Sequence, residues 1–104
     1  MTYELMNTIL TSLGIPYAYH HFKKPVTAAK YAAYFESDRV RFLADDHVYA
    51  WGPQFAVELY MRKDRDIALE NQLIELFDQY DVVWSGGEST FIDSEGVYLT
   101  TFYC

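Results

Sequence analysis

The sequence predicts an α+β fold in which a largely antiparallel sheet carries two helices packed on one face. Three observations predict it. Apolar residues recur at helical spacing in two segments, one near the N-terminus and one after residue 66. Most of the remaining chain consists of short aromatic and β-branched runs bounded by turn residues. The order helix, strands, helix, strands separates the two element types instead of alternating them, which disfavours a parallel βαβ sheet. With 104 residues, the chain fits a single domain, 1–104, built around one core.

The first helix is predicted over Tyr3 to Leu13. Leu5, Ile9 and Leu13 fall four residues apart with Met6 and Leu10 beside them, while Glu4, Asn7, Thr8 and Thr11 occupy the other side. Thr2 is placed to cap the start, Gly14 to adopt the left-handed C-terminal cap, and Pro16 to forbid continuation. A strand follows over Tyr17 to Phe22 and ends at Lys23-Lys24-Pro25. A second is expected over Lys30 to Phe35, where Tyr31, Ala33 and Phe35 alternate with Ala32 and Tyr34, before turn chemistry at Glu36-Ser37-Asp38. Val40 and Phe42 predict a short further strand, and Ala44-Asp45-Asp46 turns the chain again.

His47 to Trp51 and Gln54 to Met61 read as strand on either side of a bulge or kink at Gly52-Pro53, because proline donates no ladder hydrogen bond. The second helix is expected from about Asp66 to Tyr80. Its stripe is Leu69, Leu73, Leu76, Phe77 and Tyr80, and Asp64 or Asp66 is the cap. Terminal strands are expected at Asp81 to Trp84, Phe91 to Ile92 and Gly96 to Tyr103, with Ser85-Gly86-Gly87 as a connecting loop and a hairpin turn at Asp93 to Gly96.

Composition narrows the function. Hydrophobic residues make up 51% and aromatic residues 18% of the chain, with ten tyrosines, which argues for an ordered core and half-buried or partner-facing tyrosines. A net charge of -7 repels phosphate, so sequence-specific nucleic-acid binding is not expected. Lys23-Lys24 and Arg62-Lys63-Asp64-Arg65 are too short to be a basic footprint and read as solvated turns. Cys104 is the single cysteine, so an intramolecular disulfide is impossible. Neither a signal peptide nor a membrane span is predicted, and the expected setting is the reducing cytoplasm or the medium after lysis.

The candidates for chemistry each have a simpler reading. His20 and His21 are adjacent in a predicted strand, which sends them to opposite faces and keeps them from chelating one ion together. His47 with Asp45 and Asp46 offers metal-ligand atom types but reads as a polar turn. Cys104, beside the terminal carboxylate, is expected to be poorly held and disfavoured as a thiolate. Gly86-Gly87 leads into Glu88 and a strand, not a helix N-terminus that would bind phosphate. Asp93 and Glu95 are expected to be solvated turn carboxylates. No catalytic residue, cofactor or metal is therefore expected.

Four stretches together resemble the tail-terminator, or tail-completion, proteins of long-tailed phages and prophages of Gram-positive bacteria. They are Tyr3 to Leu10 (Tyr-Glu-Leu-Met-Asn-Thr-Ile-Leu), Ala18 to Phe22 (Ala-Tyr-His-His-Phe), Val57 to Asp64 (Val-Glu-Leu-Tyr-Met-Arg-Lys-Asp), and Thr90 to Glu95 (Thr-Phe-Ile-Asp-Ser-Glu) followed by Tyr98. The resemblance lies in their order and spacing across nearly the whole chain. It implies a cofactor-free subunit of a ring, usually hexameric, that caps the tail tube and meets the head-tail connector in the virion. Gly52-Pro53 and the end at Cys104 depart from the family's pattern.

For such a ring the sequence-derived candidates for contact with neighbours or the tail are Asp38 to Asp46 and Ser85 to Ser89. Arg39 and Arg41 against Asp45 and Asp46 would supply complementary charge, with Ser85, Gly86, Gly87 and Glu88 as the second contact. Three other assignments fit the sequence. One is a head-completion, neck or assembly protein of the same phage. Another is a small metal-dependent hydrolase using His20 or His21, His47, Asp45 and Asp46, and the third is a ligand-binding or regulatory α+β domain.

Overall fold

The first helix, α1 (Tyr3–Leu13), forms where the spacing places it, and its caps are the expected ones. The Thr2 hydroxyl accepts from the Leu5 amide at 3.1 Å, and Gly14 ends the helix at φ 81° with its N–H donating to the Thr11 carbonyl. The chain continues as β1 (Tyr17–Tyr19), β2 (Lys30–Ala44), β3 (His47–Arg62), α2 (Ile67–Gln79), β4 (Ser85–Ile92) and β5 (Val97–Tyr103). This is a computed structural model that describes the backbone of residues 1–44 and 47–104 and the side chains of residues 1–37 and 54–104.

The five strands form one sheet in the order β1-β2-β3-β5-β4, antiparallel throughout except for β1 against β2. Phe55, Val57, Leu59 and Met61, four alternate residues of β3, are fully buried on the face that both helices cover. Ala32 and Tyr34 of β2 and Phe102 of β5 join them, as do Met6, Ile9, Leu10 and Leu13 from α1 and Leu69, Leu73 and Phe77 from α2. Each such side chain contributes about 1.5–3 kcal/mol relative to exposure. Two helical stripes meet one face of alternating residues, and that match selects the α+β architecture.

Several boundaries differ from the sequence expectation. The first strand ends at Tyr19 instead of Phe22, because His20 adopts φ 68° while its amide still donates to the Tyr34 carbonyl. Asp81 to Trp84 is not a strand. The stretch Ser85-Gly86-Gly87-Glu88, expected as a loop, is instead the first half of β4, paired with β5 from Ser85 opposite Tyr103 to Ile92 opposite Val97.

The turn expected at Glu36-Ser37-Asp38 is also absent, and the bulge expected at Gly52-Pro53 lies one residue away, at Gln54. β2 and β3 run past both as one long antiparallel pair, with Glu36 opposite Phe55 and Arg39 opposite Pro53. Ser37 and Asp38 face the single residue Gln54, a two-against-one bulge, and the Ser37 hydroxyl donates to the Gln54 carbonyl at 3.1 Å. The bulge relaxes the ladder next to the one residue of β3 that lacks an N–H. The outer part of this hairpin extends beyond both flanking strands, and the molecule measures 47 × 26 × 25 Å.

The second helix begins one residue later than expected because Asp66 is its cap. The Asp66 carboxylate accepts from the Leu69 amide at 3.0 Å and also pairs with the Lys30 ammonium, which joins the start of α2 to β2. These two partners, the Lys30 ammonium first, hold the Asp66 carboxyl below its usual pKa. A carboxyl depressed by folding stabilises the native state above its unfolded pKa of about 4 and ceases to as pH falls through the lower native value. Asp66→Asn keeps a capping oxygen but not the charge, so its melting temperature should lie below that of the unsubstituted chain at pH 6. Thermal melts at roughly pH 3 should show that gap narrowed; a gap independent of pH would contradict this assignment.

Candidate assembly surfaces

β4 is an edge strand, so among the described residues its backbone faces a neighbouring strand on one side only. Its start requires glycine. Gly86 has φ 89°, and a β-carbon there would lie 2.6 Å from the Thr101 carbonyl oxygen. Gly87, at φ 88°, takes up the bulge between Gly86 and Glu88 and lies under the rings of Trp84 and Phe102. The side chains of Ser85, Glu88, Thr90 and Phe91 are exposed, and Phe91 rests against Tyr98 with ring centroids 4.9 Å apart. The four residues proposed from sequence as a flexible contact loop therefore form a fixed strand edge.

The other sequence-derived contact set is only partly placed. Arg39 and Arg41 lie on β2, opposite Pro53 and Trp51 in the ladder, and their side chains are outside the described residues, as are Asp45 and Asp46 entirely. His20 and His21 are exposed just after β1, where the His20 ring stacks on Phe35 at 5.7 Å. The His47 side chain is also outside the described set. Among the described residues no three His, Cys, Asp or Glu side chains gather to hold a metal ion.

Sequence reasoning missed several polar contacts. Arg62, read as part of a solvated turn, reaches back to donate to the carbonyls of Val26 at 2.7 Å and Ala28 at 3.2 Å, with its guanidinium over the Tyr31 ring. It ties down the loop between β1 and β2. Arg65 forms a two-pronged pair with Glu70, which is only 4% exposed on α2. With Lys30 held by Asp66, three of the basic groups around this turn have internal partners, and the turn is structural in character. An arginine followed five residues later by a glutamate at a helix start is too common a pattern to announce the pair.

Further along the strands, away from Arg62, Tyr3 packs edge-on against Phe55 and Tyr19, and its hydroxyl donates to the Glu36 carboxylate at 2.7 Å. The neighbouring Tyr19 hydroxyl, then Glu36, push the Tyr3 phenol pKa up. On the sheet face away from the helices Tyr31 and Tyr60 stack at 4.9 Å, and burial followed by the Glu58 carboxylate raises the Tyr60 pKa. Tyr3 and Tyr60 thus stay neutral, and all four tyrosine rings serve as packing groups with polar tips.

Cys104 corrects the expectation that the last residue is poorly held. Its N–H donates to the Phe55 carbonyl at 2.9 Å and its carbonyl accepts from the Phe55 amide at 2.7 Å, which extends the β3–β5 ladder by one pair. Burial pushes the thiol up to about 12, so it stays protonated at neutral pH. Iodoacetamide at about pH 8, near the range where a free thiol ionises, should label native protein far more slowly than protein in urea. Equal rates would show that Cys104 is not packed as described.

Among the described residues no helix is long and apolar enough to cross a membrane. No protein-family model, curated protein or solved structure matches the chain.

Proposed function

We propose that this chain is a structural virion protein that caps the tail tube of a long-tailed phage and joins the tail to the head connector as a ring of copies, in the hexameric form usual for the proteins it resembles. The observation that carries the reading is the division of the chain into a packed body and a projecting arm. The core described above is drawn from α1, α2 and the sheet centre, whereas the outer β2–β3 hairpin runs beyond β1 and β5. Ordering such a hairpin costs about 1–2 kcal/mol of backbone entropy per residue, and an isolated two-stranded ribbon is marginal in water. A second surface against which to fold gives the arm its use.

The sequence resemblance supports the same reading, because its four stretches fall on α1, on the end of β1, on β3 leading to α2, and on the β4–β5 hairpin. These are the elements that build and edge the body. Acidic composition is compatible with a lumen that lets DNA pass, since like charge gives no gain from counterion release. In this reading the partners are further copies of the chain, the tail tube protein and the head-tail connector, and the place of action is the head-tail interface of the virion.

The test is reconstitution. Purified chain added to a lysate containing full heads and tails but lacking this protein should restore joined, infective particles. Heads and tails that remain separate after saturating addition would exclude the joining role.

A further inference from the structure

Two open strand edges lie on opposite sides of the sheet, and their directions match. β4 forms one end of the sheet, and no strand pairs with its outer edge among the described residues. Natural sheets guard such edges with lysine, proline or inward-pointing charge. β4 contains no lysine or proline, and its one charged residue is Glu88. Its bulge is confined to Gly86–Glu88, which leaves Ser89 to Ile92 in regular register. Exposed apolar side chains flank the edge, with Phe91 45% exposed and Val83, just before the strand, 88% exposed.

At the other side of the sheet β1 covers β2 only from Ala32 to Tyr34. From Phe35 to Ala44 no strand pairs with the outer side of β2 among the described residues, an edge of about 33 Å at a rise of about 3.3 Å per residue. The eight residues of β4 need about 26 Å by the same measure. One edge is therefore long enough to receive the other.

Direction decides which copies can meet. β2 and β5 run one way, and β3 and β4 run the opposite way. A second copy turned about an axis parallel to the strands brings its β2 against β4 in antiparallel sense, the more favourable ladder geometry. The contact is head-to-tail, so repeating it closes a ring when the rotation divides a full turn.

We propose that the outer edge of β4 in one copy pairs, antiparallel, with the edge of β2 beyond Tyr34 in a second copy, so that the sheet continues from subunit to subunit. This rests on the reading of the chain as a ring-forming subunit and names the strands that join. The charge of -7 per copy opposes the contact, so high salt should favour it.

Hydrogen-deuterium exchange of the intact chain, with mass measured by light scattering, tests the pairing across a concentration series at low salt and at about 0.5 M salt, where exposed charges are screened. The expected result is an oligomer in which the amides of residues 85–92 and 35–44 slow together. Phe91→Lys places a charge on the β4 edge while its stem still covers Tyr98, and this variant should keep its fold but stay monomeric. An oligomer in which either segment still exchanges as in the monomer overturns the pairing and leaves ring formation standing through another surface. A chain monomeric under every condition also overturns it, and the reconstitution of heads with tails then decides separately whether the joining role survives.

Discussion

Replacing Phe77 by alanine should lower the free energy of unfolding by about 3–5 kcal/mol, the range for deleting a fully buried aromatic ring. Phe77 is 0% exposed on α2, and its ring meets Phe102 of β5 edge-on at 6.1 Å. Trp84 packs on the other side of Phe102 at 5.6 Å, so one ring joins the second helix to the strand that precedes the free edge of the sheet. Removing it leaves a cavity under β5, and Phe102, held also by its contact with Trp84, cannot collapse fully into it. A domain of this size has a stability of about 5–15 kcal/mol, so the substitution removes a third or more of the total in most of that range. The melting temperature should fall by roughly 15–30 °C. Phe77→Leu, which keeps most of the volume, should cost about 1 kcal/mol. Thermal and urea denaturation give both values, and a loss below about 1 kcal/mol for alanine would show that this contact is not part of the core.

Gly86→Ala is the second large effect. The left-handed φ of 89° costs a residue with a side chain about 1–3 kcal/mol, and the new methyl group would lie 2.6 Å from the Thr101 carbonyl oxygen. That oxygen belongs to the backbone of β5, so it retreats only if the β4–β5 ladder opens. Gly14→Ala is the control. Gly14 has a similar φ of 81°, but nothing lies within 4 Å of the added carbon, so it carries the conformational cost alone, about 1 kcal/mol. Urea denaturation should rank Gly86→Ala clearly below Gly14→Ala. Equal losses would mean that the first turn of β4 does not approach β5 as closely as described.

The same two positions show what the sequence made legible. α1 and α2 could be read because their determinants are local: a four-residue repeat, a capping oxygen at Thr2 and Asp66, and a glycine at residue 14. The alternation of Phe55, Val57, Leu59 and Met61 likewise announced its buried face. β4 could not be read, because Gly86-Gly87 signals a loop locally and becomes strand only through the ladder that β5 supplies from more than ten residues away. The long hairpin was hidden for a related reason. Ser37-Asp38 reads as a turn and Gly52-Pro53 as a kink, yet across the ladder Ser37 and Asp38 meet Gln54, beside Pro53, as a bulge within one continuous strand pair.

The proposed contact residues are less legible than the fold. Lack of core residues points to Ser85 to Glu88 as surface, and the structure places them on a strand edge instead of in a loop. That criterion gives no means of pairing the edge with β2, since pairing depends on strand direction in the folded sheet. Arg62 was passed over because the carbonyls it serves, those of Val26 and Ala28, carry no side-chain signature.

The most direct measurement of the central claim is electron microscopy of particles from an infection in which this chain is missing. The account predicts full heads beside overlong or ragged tails, unjoined to one another. Normal virions with tails of uniform length attached to their heads would contradict it.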